Sequence, residues 1–384
     1  MKILVTTPYF YPHAGGSQKY IEDLYSQLIK AHPGVEVDLI CYNTDNAPKK
    51  EVYKGLNVFR VSCLQILPGQ FALPNYLEVF NLVRKLKQKR GKYDLVNAHT
   101  RFFDNSLWSP LVAKYLGAKS VLTDHCAYSP RHSSGAVALV AKAVDLLVVP
   151  QIAKLYGDVV AVSYATQRYL RSLGVKASRV FHGGVIVKNF EPRSAKASLK
   201  AIPGVNKKLN KGDVVVTYLG RLIYSKGPQI LLEAAKEANG EFNGVRFIFA
   251  GKGEALANLK GQKVKNAYFT GNLNQKDVIK LLANTDIVVL PTSHHEGFPI
   301  VLLEAGASSC AVVTTQVGGI GELIKNGKTG LTVEPTPKDV KVKLTRLIRD
   351  RKLRTRLAQN LHLKVKKEFD WNVISERYFN YINS

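Results

Sequence analysis

Two glutamates, Glu296 and Glu304, stand eight residues apart in the run Ser-His-His-Glu-Gly-Phe-Pro-Ile-Val-Leu-Leu-Glu-Ala-Gly from Ser293 to Gly306. Paired carboxylates first suggest acid–base work on a glycosidic bond. On one helix the two would lie about 12 Å apart along the axis, whereas hydrolase couples sit roughly 5–9.5 Å apart. The pair therefore reads as two separate ligands for hydroxyl groups, one on a sugar and one on a ribose. Gly297 permits close backbone approach. Pro299 fits a first helical turn, where its missing N–H is no loss, and the free N–H groups after it suit an anion. A buried helix with two solvated glutamates is the plain alternative.

Other residues with chemical capacity lie at the ends of apolar runs. Gly15 and Gly16, in Pro-His-Ala-Gly-Gly-Ser before a helical pattern, would let backbone approach a phosphate at a helix N-terminus. A tight turn is the alternative. His99 ends Leu-Val-Asn-Ala and His125 ends Val-Leu-Thr-Asp. That position favours a functional role over packing, although either could be a hydrogen-bonded core histidine. His182, in Phe-His-Gly-Gly-Val, sits near the middle of the chain.

These residues need a scaffold that brings strand ends together, and the pattern along the 384 residues supplies one. Short apolar runs are predicted as strands at 3–7, 35–41, 58–61, 95–98, 120–123 and 159–162, with helices at 18–30 and 75–89 among them. After a polar, basic stretch at 193–211, read as a linker or an early loop of the next domain, the pattern restarts. Its strands are predicted at 214–219, 246–250, 267–270, 287–290, 311–314 and 330–333. Apolar runs alternating with helices predict parallel sheets covered on both faces. The expected fold class is α/β, two Rossmann-like doubly wound domains facing across a cleft. Residues 1–187 form the first, 188–370 the second, and a C-terminal helix at 371–384 crosses back to the first. Ligands of such sheets bind beyond the carboxyl ends of the strands.

The segment 296–304 resembles the Glu-x7-Glu signature of retaining GT-B glycosyltransferases of family 4 (glycosyl transferases group 1), with Pro299 where that pattern has a second glycine. Gly220-Arg221-x4-Lys226-Gly227 is similar to the same family's Gly-Arg-x4-Lys-Gly element. The resemblance implies that Arg221 and Lys226 hold the donor diphosphate. The chemistry needs such cations, because a leaving nucleoside diphosphate gains charge as the glycosidic bond breaks. Arg221 can bind phosphate in a fork while Lys226 acts as a point charge. The resemblance further places the nucleobase near Gly251 and Leu273 and the donor against Gly297, Phe298, Pro299 and Ile300. It puts Gly15 and Gly16 by the donor phosphate or sugar, and Gly318, Gly319 and Glu322 in a nearby loop. His125 falls beside the transferred sugar as base or hydroxyl ligand, with His99 and His182 as further sugar or acceptor contacts. Gly183 stands where the family usually has Asn, which removes that side chain's contact. Gly15-Gly16, His125, Arg221 with Lys226, and Glu296 with Glu304 occur in the family's order across nearly the whole chain.

Composition narrows the partners. Hydrophobic content of 46% and charged content of 22% are globular values. No run is long enough for a membrane span, and the start lacks a signal-peptide pattern. Four scattered cysteines show neither metal-ligand spacing nor a disulfide framework, which fits a reducing cytosol. No Asp-x-Asp occurs, so no metal and no cofactor are expected. The formal charge of +26 is spread over both halves, which argues against a nucleic-acid groove and for a generally basic surface. The apolar, loop-like stretch from Val61 to Pro74, followed by a helix ending in Arg84, Lys85, Lys87, Lys89 and Arg90, suits an anionic bilayer. A loop buried in the core is the alternative there. The run from Ala136 to Pro150 reads as a packed helix.

The expected activity is a metal-independent transfer of a hexose from a nucleotide sugar to a hydroxyl, with retained configuration. UDP-sugars and GDP-mannose both stay open as donors, and a lipid-linked saccharide or phospholipid is the candidate acceptor. The protein would be cytoplasmic, peripheral on the inner membrane face. Another GT-B enzyme, an epimerase or phosphorylase, is the first alternative. A nucleic-acid-binding protein and an inactive scaffold rank below it.

Overall fold

The computed structural model describes residues 1–13, 15–67, 71–129, 135–190, 202–205, 212–238, 244–293 and 297–384. The chain divides into two compact units, Met1–Gly184 with Trp371–Ser384, and Val185–Asp370.

The strands of the first unit are β1 (Lys2–Thr6), β2 (Glu36–Tyr42), β3 (Lys50–Tyr53), β4 (Leu56–Val61), β5 (Cys63–Leu67), β6 (Phe71–Pro74), β7 (Leu95–His99), β8 (Lys119–Asp124), β9 (Asp158–Ala161) and β10 (Arg179–Val180). Eight form one sheet in the order β10-β9-β8-β7-β1-β2-β4-β3. All pair in parallel except β3, which runs antiparallel to β4 at the edge. Ile3, Leu4 and Val5 are fully buried, as a central strand covered on both faces requires. The strand order reverses between β1 and β7, so the switch point lies beyond Thr6 and His99.

The helices of this unit are α1 (Gly16–Ala31), α2 (Tyr76–Arg90), α3 (Asn105–Leu116), α4 (Gly135–Ala143), α5 (Val149–Ala153) and α6 (Tyr164–Ser172). Helix α1 buries Ile21, Leu24, Tyr25 and Leu28 at helical spacing. The segment expected as a loop at 61–74 is instead a hairpin, with β5 and β6 paired antiparallel. Cross-strand hydrogen bonds satisfy its backbone while Leu64 and Ile66 stay exposed. Pro68, Gly69 and Gln70 lie outside the described residues.

In the second unit, β11 (Val214–Leu219), β12 (Val245–Ala250), β13 (Ala267–Gly271), β14 (Ile287–Leu290), β15 (Ala311–Thr314) and β16 (Leu331–Thr332) form an all-parallel sheet ordered β13-β12-β11-β14-β15-β16. Its switch point lies between β11 and β14. Around it pack α7 (Pro228–Glu237), α8 (Leu256–Gly261), α9 (Gln275–Ala283), α10 (Ile300–Ala307), α11 (Ile320–Leu323), α12 (Pro337–Arg349) and α13 (Arg351–Glu368). Within the stretch read as a linker or early loop, Ile202 and Val205 are buried beside Val215, Ile248 and Leu281. Residues 202–205 are thus part of this unit's core, held by two apolar side chains, and do not act as a free linker. The last helix, α14 (Trp371–Asn383), belongs to the first unit. Trp371 donates to Asp23 on α1 at 3.2 Å and its ring meets Tyr20 edge-on.

Candidate active site

The switch point of the second unit is built mostly from backbone. Beyond β11, the Gly220 amide donates to the Ala250 carbonyl at 3.0 Å and the Leu222 amide to Lys252 at 2.8 Å. Beyond β12, the Gly251 amide donates to Gly271 at 2.8 Å. Three strand ends therefore continue side by side past the sheet. Gly251 has φ +144°, and a methyl group there would stand 1.9 Å from the Gly220 carbonyl oxygen. Only glycine lets the two loops touch.

Arg221 and Lys226 ride on this platform. A short 3-10 turn, Tyr224–Lys226, carries the lysine. It is tied to the end of β14 because the Ser293 amide donates to the Ser225 carbonyl at 2.9 Å. Gly227, at φ +77°, closes the same contact, since a Cβ there would fall 2.2 Å from the Pro291 oxygen. Arg221 is exposed and Lys226 half-buried.

After β14 the chain reaches Gly297, Phe298 and Pro299. Pro299 caps α10, so the helix begins at Ile300. The axial separation expected for two glutamates on one helix does not apply, because the proline starts the helix only after position 296. Glu296 itself, with His294 and His295, lies outside the described residues. Glu304 is nearly buried at 8% exposure and accepts from Gln275 Nε2 at 3.0 Å. It is thus no solvated surface glutamate. Gln275 opens α9 two residues after the half-buried Leu273, so the Glu304 bond ties α10 to the start of α9. Phe298 packs on Phe369 at 5.2 Å, and Gly319 lies against the Gly297 carbonyl.

In the first unit, Gly15 is the N-cap residue of α1. It provides no side-chain cap, and the first turn holds no acidic residue, which leaves a helix start open to an anion. Gly15 is extended, with φ −173°, a conformation any residue adopts. Ala14 lies outside the described residues.

His99 and His125 touch. His99 Nδ1 lies 3.0 Å from His125 Nε2, and His99 Nε2 lies 3.2 Å from the Tyr25 hydroxyl. His99 has zero exposure and both its ring nitrogens are engaged. Burial and the neighbouring His125 push it well below the usual histidine range. Burial pushes the half-buried His125 down to about 3, so both rings are neutral near pH 7. His182 stacks edge-on with Tyr164 at 5.4 Å in the same unit and is not part of this pair.

Two family matches decide the classification: residues 14–188 match glycosyltransferase family 4, and residues 205–363 match the glycosyl transferases group 1. The chain belongs to this glycosyltransferase family. The glycosyltransferase is 25% identical, over 98% of its own length and 81% of the relative's, to the GPI3 subunit of phosphatidylinositol N-acetylglucosaminyltransferase from Saccharomyces cerevisiae. The N,N'-diacetylbacillosaminyl-diphospho-undecaprenol alpha-1,3-N-acetylgalactosaminyltransferase of Campylobacter jejuni is 29% identical over 56% of the chain and 57% of its own length. Among solved structures, Anabaena HepE in complex with UDP and glucose superposes with a TM-score of 0.77 at 20% identity, covering 100% of this chain and 99% of that one. The fold is GT-B.

One residue of the glycosyltransferase was beyond sequence reasoning. Arg101, 1% exposed, pairs with Asp124 and with Asp145 (Nε–Oδ1 3.0 Å). It also donates to the carbonyls of Cys126 at 3.1 Å and Tyr128 at 3.0 Å. It therefore gathers the loop that carries His125. Burial raises the Asp124 carboxyl, against the pull of the Arg101 charge. The only local signal is an arginine two residues after a buried strand.

Proposed function

We propose that this glycosyltransferase takes a hexose from a nucleoside diphosphate and places it, with retained configuration and without a divalent metal, on a hydroxyl of a membrane-borne acceptor. The donor reading rests on one observation. Arg221 and Lys226 follow β11 and the buried carboxylate of Glu304 lies on the helix after β14, the two strands that flank a single switch point, where glycines allow the loops to touch. In this reading Arg221 and Lys226 neutralise the leaving diphosphate, Glu304 holds the ribose, Gly251 and Leu273 flank the base, and Glu296 holds the sugar. UDP in the HepE structure supports a uridine donor. A panel of nucleotides and nucleotide sugars, scored by thermal stabilisation, tests it. At a hundredfold excess over Kd, the right nucleotide adds about 2.7 kcal/mol. Glu304→Gln is expected to weaken that nucleotide by about 10- to 100-fold, the worth of a hydrogen bond to a charged group. Unchanged affinity would return Glu304 to a purely structural bond with Gln275.

The acceptor reading rests on the first unit's surface. The hairpin exposes Leu64 (69%) and Ile66, and α2 exposes Leu77 (76%) and Phe80 while burying Val83 and Leu86. Phe80, Arg84, Leu111 and Tyr115 line a groove of about 340 Å³ between α2 and α3. The run expected to pack at 136–150 is helical but exposes Leu139, Val140, Leu146 and Leu147. Of the α2 cations, Arg90 pairs with Glu36 and Asp38 and Lys87 lies over Tyr115, which leaves Arg84, Lys85 and Lys89 exposed. Among the described residues no helix is long and apolar enough to cross a membrane. Apolar side chains beside exposed cations suit a peripheral seat on an anionic leaflet. The lipid acceptors in the names of both sequence relatives support the same reading. Pelleting with phosphatidylglycerol vesicles is expected to fall with salt. It should drop about 100-fold on reversing Arg84, Lys85 and Lys89, at about 1 kcal/mol per cation. Salt-insensitive pelleting that the reversal leaves unchanged would remove the anionic leaflet from the proposal, and failure to pellet would remove the membrane.

A further inference from the structure

His125 is the end of a hydrogen-bonded chain that begins at a side-chain amide. Thr123 Oγ1 donates to Asn97 Oδ1 at 3.0 Å, and Asn97 Nδ2 donates to the Tyr378 hydroxyl. The Tyr378 and Tyr25 hydroxyls are 3.5 Å apart, Tyr25 lies 3.2 Å from His99 Nε2, and His99 Nδ1 lies 3.0 Å from His125 Nε2. Asn97 and His99 are fully buried on β7, Tyr25 is on α1 and Tyr378 on α14. Every member belongs to the first unit.

The amide is the one member whose two ends cannot exchange roles, since its oxygen only accepts and its nitrogen only donates. Tyr378 accepts from that nitrogen, and its own proton is free to point at Tyr25. The Tyr25 proton has two places to go, a phenol oxygen at 3.5 Å or an imidazole nitrogen at 3.2 Å. The nitrogen is both nearer and the more basic acceptor. Tyr25 therefore donates to His99 Nε2. A neutral imidazole carries one proton, so His99 holds its own on Nδ1 and donates it to His125 Nε2. His125, also neutral, is left with its proton on Nδ1.

We propose that Asn97, Tyr378, Tyr25 and His99 are positioning residues that lock His125 as the Nδ1–H tautomer, so that His125 donates a hydrogen bond to a substrate hydroxyl and does not take its proton. This rests on the reading that places His125 beside the transferred sugar. The relay decides between the two roles that the position of His125 left open, base or hydroxyl ligand. It also gives α14 a use: the C-terminal helix supplies the hydroxyl that accepts from the amide.

The test is nitrogen NMR of the full chain labelled in its histidine rings, near pH 7. In the wild type the proton is expected on Nδ1 of both His99 and His125. Asn97→Asp puts an acceptor where the donor was. Tyr378 then points its proton at the carboxylate and no longer at Tyr25, so the lock on Tyr25 is loosened and His125 is expected to show both tautomers. Tyr25→Phe, which keeps the ring and removes only the hydroxyl, is expected to show both tautomers at His125 even if the buried aspartate unfolds the protein. A wild-type proton on His125 Nε2, or a single unchanged tautomer in Tyr25→Phe, overturns the relay. In turnover, Tyr25→Phe is expected to lower kcat about tenfold with donor KM unchanged. If His125→Ala transfers sugar at the wild-type rate while the wild-type tautomers are as expected, the placement of His125 at the sugar fails and the relay alone stands.

Discussion

Replacing both Arg221 and Lys226 by alanine is expected to cut kcat/KM by about 10³- to 10⁴-fold while leaving the melting temperature within about 2 °C of wild type. The two cations lie within seven residues beyond β11, on a loop held by backbone bonds to the loops after β12 and β14. Neither guanidinium nor ammonium is needed to form those bonds, so the platform should survive. Arg221 is exposed and Lys226 half-buried, and surface substitutions of this kind shift stability by about 0.5 kcal/mol or less. Catalysis should suffer far more. A single pre-placed donor to developing negative charge contributes about 10²- to 10³-fold, and two acting on one diphosphate give less than the product of their separate effects. At about 1.36 kcal/mol per decade the expected loss is about 4–5.5 kcal/mol.

Arg221→Lys separates fork from charge. It keeps the charge but loses the bidentate geometry, so it should fall between wild type and the double variant. The assay includes EDTA. Because the chain carries its own cations, wild-type transfer is expected to continue in the chelator. A double variant that still turns over within tenfold of wild type would sink the diphosphate clamp, and loss of wild-type activity in EDTA would sink its metal-free form.

Much of this architecture is readable from sequence where burial imposes a run. Strands β11, β12, β14 and β15 are largely buried and must be mostly apolar, so both strands of the second unit's switch point can be placed. Edge structure carries no such demand. Residues 50–53 alternate half-buried and exposed, and the β5–β6 hairpin keeps most of β5 in solvent. Their strands exist because a neighbour pairs with them. The two histidines show the same limit at a site. His99 and His125 both end apolar strands and look alike in the chain. What separates them is Tyr25, on the first helix of the chain, and Tyr378, on the last. No local pattern around either histidine points to partners so remote in sequence. Glu304 was legible as a motif residue, but its bond to Gln275 joins two helices that no spacing rule connects.

Arg101 is the extreme case, and its removal is the second large effect expected. Arg101→Met should destabilise the first unit by about 3–5 kcal/mol, because it leaves Asp124 and Asp145 buried without their cation. Methionine keeps most of the side-chain volume, so the cost is electrostatic rather than a cavity. The bonds to Cys126 and Tyr128 are lost as well, which frees the loop behind His125. Against a typical total of about 5–15 kcal/mol, the change should be plain in urea unfolding and in hydrogen exchange of the β8 amides. The pH dependence identifies the cause. Without the guanidinium, burial is left unopposed to raise the Asp124 carboxyl of the folded variant above its unfolded value. Between about pH 4 and 7 the folded state then binds more protons than the unfolded one, so stability rises as pH falls. The deficit relative to wild type should therefore shrink from pH 7.5 to pH 5.5. Replacing Asp124 and Asp145 together with Arg101 by apolar residues of similar volume should recover much of the loss, since an apolar substitute for a buried ion network is often neutral or better. A single variant within about 1 kcal/mol of wild type, or a deficit that grows on acidification, would show that the guanidinium does not hold this unit together.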